Sequence, residues 1–426
     1  MDKTGFQHGK AKRVRLHVLP TKRFKTFAIS LFAGTPLTEE TVTSTALIPF
    51  VLRRGTASYP ETIQFREQLE QMYGAGFGFD VYKRGDYQMV QFRMDTINDS
   101  FVKSEESLLE SSFAFLGEVV TRPALEDGHF RKSYVQAEKE NVRKKLDSIV
   151  NDKIRYASER CIEEMCSNEP YRLHPLGQRK DLDQINAENL YDAYQQWLQN
   201  SSMDLYVVGD TSLEEVQELV TKYFELGDAP GITYKPNASI REVRDVKTVV
   251  EKLEVSQGKL NLGLRTSINY SDDLYASALM YNGILGGYPH SKLFINVREK
   301  ESLAYYASSR YDGHKGIGTI QSGIEVQNYE KALEIIQRQL EEMRAGNITE
   351  LEMSQTKAMI RNLLREIDDS AFEMIAYDFN RQFSGKDRSR AELLNQVENI
   401  SIDDVKAAAL TFELDTIYFL KGQEEE

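Results

Sequence analysis

The stretch Leu285–Tyr311 reads LGGYPHSKLFINVREKESLAYYASSRY. Just upstream, Asp272–Leu285 carries the apolar spacing of a helix. Gly286-Gly287 then marks a helix end or a close backbone approach. Ser291–Glu299 returns to a helical pattern, and Tyr305–Ile324 reads as a pair of strands. Upstream of this block Val249–Arg265 reads as strands. Downstream come a helix at Tyr329–Arg344, a long helical stretch at Thr349–Phe383, a helix at Ile402–Leu410 and a last strand at Ile417–Leu420.

The first half runs in the same order. Val14–Leu19 and Phe27–Phe32 are strand-like, Glu39–Arg54 and Glu61–Met72 helical, and Gly76–Met94 a hairpin turning at Arg84-Gly85-Asp86. Helical periodicity covers Phe101–Val120 and then Glu126–Cys166, as one long helix or two joined ones. Asp204–Val208 is a short strand, and Thr211-Ser212 caps a helix with acidic first-turn residues. Ile185-Asn186-Ala187-Glu188-Asn189-Leu190 aligns with Ile400-Ser401-Ile402-Asp403-Asp404-Val405, and Trp197 meets Phe412 at the same offset. Gln136–Ala157 and Gln355–Ala376 are the matching long charged helices. These matches in one order imply a duplicated α+β domain. The proline- and glycine-bearing segment Gly227–Asn237 is the natural linker. The expected division is 1–228, a linker at 229–240, and 241–426.

A chain of 426 residues with 41% hydrophobic and 28% charged residues is long enough for two buried cores. Its 53 Lys+Arg against 66 Asp+Glu give a net charge of -13, which argues against binding nucleic acid or an anionic membrane. No apolar stretch reaches 18 residues, so no membrane span is expected. No apolar segment follows Met1, so no secretory signal is expected. Cys161 and Cys166, five apart on a helical pattern, read as two thiols on diverging faces. Together these features place the chain in the cytoplasm.

Catalytic chemistry is hard to find. No two of the six histidines stand three to five apart, so no helical turn presents two imidazoles to one zinc. Cys-x-x-Cys, Gly-x-Ser-x-Gly and a phosphate-cradling glycine loop are absent. Carboxylate pairs such as Asp368-Asp369 are expected by composition and read as solvated helix faces.

The Leu285–Tyr311 stretch resembles a signature of the pitrilysin/insulinase family of zinc peptidases, roughly L-G-G-x-x-x-S-[RK]-L-F-x-x-[LV]-R-E-K-x-x-L-A-Y. Gly286, Gly287, Ser291, Leu293, Phe294, Arg298, Glu299, Lys300, Leu303, Ala304 and Tyr305 all fit. In the family's catalytic chains an inverted motif, H-x-x-E-H, precedes Gly-Thr. Here Gly55-Thr56 is present, but counting back puts the two zinc histidines on Ala46 and Phe50 and the general base on Pro49. The third ligand falls near Lys144. Alanine, proline and phenylalanine supply neither metal nor proton chemistry, and a lysine is unsuitable as the third ligand.

The resemblance covers essentially the whole chain. It implies two homologous α+β domains of the mitochondrial-processing-peptidase type (the LuxS/MPP-like metallohydrolase fold), each a mostly antiparallel sheet packed with helices. It implies a chain that neither binds catalytic zinc nor cuts peptides alone, most similar to the non-catalytic member of a bacterial two-chain peptidase. Zinc is then expected in a homologous catalytic partner, with a peptide or small protein as substrate. In the family, residues matching Arg298 and Tyr305 hold the substrate backbone and steady charge on the scissile carbonyl. The expectation is that these two complete the partner's site in trans, with Tyr306 and Tyr311 as neighbouring candidates. The plainer alternative is an ion-paired helix arginine and a core strand tyrosine. Two other roles stay open: a structural or peptide-binding pseudo-peptidase, pairing with a second copy of itself in isolation, or a peptidase with a relocated site near His129 and His174. The strand around Phe77 and Phe79 reads either as an edge offered to an extended peptide or as an ordinary capped edge.

Overall fold

A computed structural model describes residues 5–104, 106–229, 231–235, 243 and 245–422. The chain divides into two compact units. The first comprises Met1–Leu146, Leu173–Tyr234 and Asp369–Asn380; the second comprises Asp147–Arg172, Lys235–Asp368 and Arg381–Glu426. Part of the expected linker, residues 230 and 236–240, lies outside the described residues.

In the first unit the strands are β1 (Gln7–Ala11), β2 (Val14–Pro20), β3 (Thr26–Pro36), β4 (Gly76–Arg84), β5 (Tyr87–Ile97) and β8 (Ser202–Gly209), with a small ribbon of β6 (Leu125–Glu126) and β7 (His129–Phe130). Its six-stranded sheet runs β1-β2-β8-β3-β5-β4. Only β2 and β8 pair in parallel. In the second unit β9 (Lys247–Lys252), β10 (Gly258–Arg265), β11 (Ala304–Asp312), β12 (Ile317–Ile324) and β13 (Glu413–Lys421) form a sheet ordered β11-β12-β10-β13-β9, with β13 and β9 parallel. Apart from β1, each sheet reads first, last, second, fourth, third strand of its own half. The repeat inferred from sequence is therefore a repeat of topology.

The aligned helix starts behave alike. Asn186 caps the Ala187–Asn200 helix and Ser401 caps the Ile402–Ala409 helix, each through a reciprocal capping box, with Asn189 and Asp404 at the third helical position. In the first sheet, period-two alternation puts Val14, Leu16, Val18, Ile29, Leu31, Leu205 and Val207 in the main apolar core. The opposite face carries Arg15, His17, Phe32, Asp204 and Tyr206, and Phe379 stacks on Phe32 at 3.9 Å. In the second unit the Lys153–Met165 helix lies on the sheet. Ala157 and Cys161 pack with Tyr418 and Leu420, and a Cβ on Gly263 would come within 2.7 Å of Met165 Sδ. Cys161 and Cys166 are buried and form no disulfide.

Several elements depart from the sequence reading. Gln7–Ala11 is a strand that its polar residues did not announce; it pairs with β2 through a tight turn at Lys12, where φ is 50°. The third long helix begins at Leu108, capped by Ser107, not at Phe101. Asp99–Phe101 is a separate 3-10 turn capped by Asn98. Thr349–Phe383 is two helices, Glu350–Glu366 and Ala371–Ser384, separated by a turn at Ile367–Asp369. Glu126–Cys166 is two helices, Lys132–Ile149 and Lys153–Met165, the second of the two arrangements its periodicity allowed.

The second unit contains a half-buried ion cluster. Glu169 receives Lys315 Nζ at 2.8 Å and Arg265 Nη2 at 2.5 Å, and Arg265 Nε also reaches Asp415 at 2.7 Å. Burial alone would raise the Glu169 pKa. Hydrogen bonds from Lys315 and Arg265, with their charges, outweigh it and hold the carboxyl below its usual value. A depressed folded pKa means the unfolded chain binds the proton more readily. This contribution is therefore complete above about 4.3, the ordinary glutamate value, and is lost as pH falls through the lower folded value. Glu169→Gln is expected to cost about 3 kcal/mol at pH 7 and to flatten the acid limb of stability. Urea titrations from pH 3 to 7 check this; an acid limb identical to the parent's would contradict it.

Candidate functional site

Ala46, Pro49 and Phe50 lie on the helix Val42–Leu52, all three buried. Ala46 is fully enclosed, and Phe50 meets Phe79 edge-on at 4.8 Å. The Arg53 guanidinium covers both rings, at 5.6 and 5.4 Å. Lys144 is exposed on the Lys132–Ile149 helix. The fully buried carboxylate of that helix is Glu138. It accepts from Arg54 Nε and from Asn141 Nδ2 at 2.9 Å, with Arg53 Nη2 at 3.8 Å. The H-x-x-E-H zinc does not fit here: an aliphatic carbon, a pyrrolidine and a phenyl ring offer no lone pair, and the nearby acid is held by guanidinium groups.

Gly55-Thr56 survives for packing reasons. A Cβ at Gly55 would meet Pro60 O at 2.6 Å, and Thr56 Oγ1 donates to Glu118 Oε2 at 2.9 Å. Phe77 and Phe79 belong to edge strand β4, yet their rings point inward onto Phe65, Phe115, Phe92 and Phe50.

In the second unit Arg298 and Tyr305 both sit on irregular backbone. Phe294–Lys300 is a π-helical segment, and Arg298 lies on it with its guanidinium 4.6 Å from the Phe294 ring centre and Nε 3.6 Å from Glu299. The β11–β12 register shifts between Ala304 and Tyr306, so Tyr305 is the bulged residue. Such irregularities re-aim side chains and recur beside functional sites. Tyr305 is 55% exposed and donates to the Glu325 carboxylate. That hydrogen bond, with the carboxylate's charge, raises its pKa, so the phenol stays a donor at neutral pH. Tyr305 is therefore not a core residue. Tyr306 and Tyr311 are anchored instead: Tyr306 lies against Gly323 and under Lys259, and Tyr311 donates to Ile268 O at 2.9 Å. A Cβ at Gly286 would stand 2.5 Å from Ser309 N, which explains the glycine of the signature as a close backbone approach.

The chain is 40% identical, over 96% of its length and 96% of the relative's, to the probable inactive metalloprotease YmfF of Bacillus subtilis (strain 168). The chain belongs to the M16 peptidase family. The profile of the peptidase M16 inactive domain matches residues 184–360. A crystal structure of a conserved protein from Enterococcus faecalis V583 superposes with a TM-score of 0.91 at 33% identity, covering 99% of this chain and 100% of that one. A peptidase M16 inactive domain from Pseudomonas fluorescens shares the fold, with a TM-score of 0.82 at 18% identity over 99% and 98% of the two chains. This chain is an inactive M16 homologue.

His129 packs edge-on against Tyr191 at 5.8 Å, and His174 Nδ1 accepts from the Leu176 amide at 3.1 Å. Neither joins a metal-ligating cluster among the described residues. One such cluster does exist there: His8, His17 and Asp378, whose ligand atoms lie within 4.8 Å of one another. A histidine spacing rule suited to helices passes over it. The signal was the hairpin register, which sets His8 directly opposite His17. Among the described residues no helix is long and apolar enough to cross a membrane.

Proposed function

We propose that this M16 chain is the non-catalytic subunit of a two-chain zinc peptidase. It shapes the substrate chamber and lends Arg298 and Tyr305 to a homologous subunit that carries H-x-x-E-H and the zinc. The substrate is a peptide or small protein. One contrast carries the reading. The metal positions are packed shut with apolar side chains, while a guanidinium and a protonated phenol stay solvent-accessible on π-helical and bulged backbone. A fork of N–H donors and a phenol O–H suit an oxyanion forming on a scissile carbonyl.

The test is reconstitution. This chain is mixed with a homologous chain bearing H-x-x-E-H, and cleavage of an unfolded polypeptide is followed. Cleavage by the mixture, against little by either chain alone, is the expected result. A catalytic chain that works equally well alone, with this chain forming only homodimers, would overturn the reading in favour of a structural or peptide-binding pseudo-peptidase.

A further inference from the structure

The geometry points to a second kind of metal site in this chain, unrelated to the degenerate peptidase motif: His8 Nδ1, His17 Nδ1 and an Asp378 carboxylate oxygen bind one divalent transition-metal ion, best Zn²⁺, with the fourth position open to water. One ligand atom from each of the three residues lies within 4.8 Å of the other two. They come from β1, β2 and the residue 369–380 segment, all parts of the first unit.

The antiparallel register pairs His8 with His17, and their Nδ1 atoms stand 2.9 Å apart. In the metal-free state one imidazole donates to the other. Two nitrogens at about 2.0–2.1 Å from a tetrahedral zinc are roughly 3.3 Å apart. An opening of a few tenths of an ångström therefore admits the ion. His8 is exposed and can make that movement, while His17 and Asp378 are buried at 3% and 2% exposure.

The surroundings fix His17 as a ligand. Arg15 grips both Asp204 oxygens, at 2.7 and 2.6 Å, so Asp204 is an ionised acceptor. Asp204 Oδ1 lies 3.0 Å from His17 Nε2, so Nε2 carries the proton and the lone pair stays on Nδ1, facing His8. A carboxylate behind a ligating histidine in this way fixes the tautomer and ring orientation and raises ligand basicity. The His17 ring stacks on Tyr206 at 4.3 Å, and Tyr206 Oη lies 3.2 Å from Asp378 Oδ2. Two imidazoles and one carboxylate suit zinc, cobalt and nickel better than calcium or magnesium, which prefer all-oxygen shells. Binding ties the exposed strand β1 to its neighbours, so its first effect is on stability. This inference stands independently of the two-chain reading.

The test uses the full chain, stripped with EDTA and dialysed against Zn²⁺ or Co²⁺. The expected results are about one ion per chain, a tetrahedral Co²⁺ absorption band and a metal-dependent rise in Tm. His8→Ala, at an exposed strand position, should fold and lose both the band and the Tm rise. Asp204→Asn should weaken binding about 10–100-fold, as loss of an outer-shell partner does. His129→Ala should bind as the parent does. No ion bound by the parent, or His8→Ala binding as tightly as the parent, would overturn the assignment.

Discussion

In a reconstituted complex, changing Arg298→Ala and Tyr305→Phe together is expected to lower kcat/KM about 10²–10³-fold, the loss that follows removal of a single oxyanion donor in well-studied enzymes. The two single variants should separate by parameter. Tyr305 meets solvent and already donates to a carboxylate, so its O–H can turn to an anionic oxygen with little rearrangement. A donor used only as charge develops lowers kcat and leaves KM nearly unchanged, and Tyr305→Phe should do this. In the proposed trans role the Arg298 fork would span more of the substrate backbone, so Arg298→Ala should also raise KM. Arg298→Lys should recover little, because an ammonium cannot reproduce the paired donors. Both side chains are partly exposed, so neither change should disturb folding, and circular dichroism of the isolated chain checks that. Cleavage unchanged in the double variant, with the complex intact by size-exclusion chromatography, would remove the trans role.

How much of this was legible beforehand depended on whether the signal was local. The duplicated helix-strand endings were legible because capping boxes need particular side chains at fixed offsets, and Asn186/Asn189 and Ser401/Asp404 supply them. Positions 46, 49 and 50 could be named from their offset to Gly55-Thr56, and all three fall on one buried helix. Strand β1 was not legible, since Gln7–Ala11 is held by its hairpin pairing and carries no apolar alternation. The break at Ile367–Asp369 was hidden because helical periodicity continues across it; an Arg390–Asp368 ion pair anchors the turn. The π-helical segment around Arg298 has the same residue pattern as an α-helix, so spacing alone could not separate them. Nor does amphipathicity state which sheet a helix will cover. The Lys153–Met165 helix lies in the first half of the sequence, yet it packs against β10 and β13.

The Val42–Leu52 helix leads into arginines that ion-pair with a buried carboxylate. Arg54→Ala is expected to destabilise the chain by about 3–5 kcal/mol, because it strips the main counter-charge from a carboxylate with no solvent contact. Among the described residues Glu138 would keep Asn141 at 2.9 Å and the longer contact to Arg53 at 3.8 Å. Adding Glu138→Gln to Arg54→Ala should recover a large part of the loss, since a neutral amide needs no counter-ion, whereas additive losses would show that Arg54 matters for its aliphatic packing instead. Urea unfolding with an unchanged m-value is the measurement, and a loss below about 1 kcal/mol would mean the pair behaves like a solvent-screened surface bridge. Placing histidines at positions 46 and 50 would force imidazoles into a site where Ala46 has no exposed surface and Phe50 packs on Phe79. The adjoining carboxylate would still be bound to two guanidinium groups. Ligands and cations would therefore have to change together, because a buried carboxylate neutralised by arginine has little left to offer a metal.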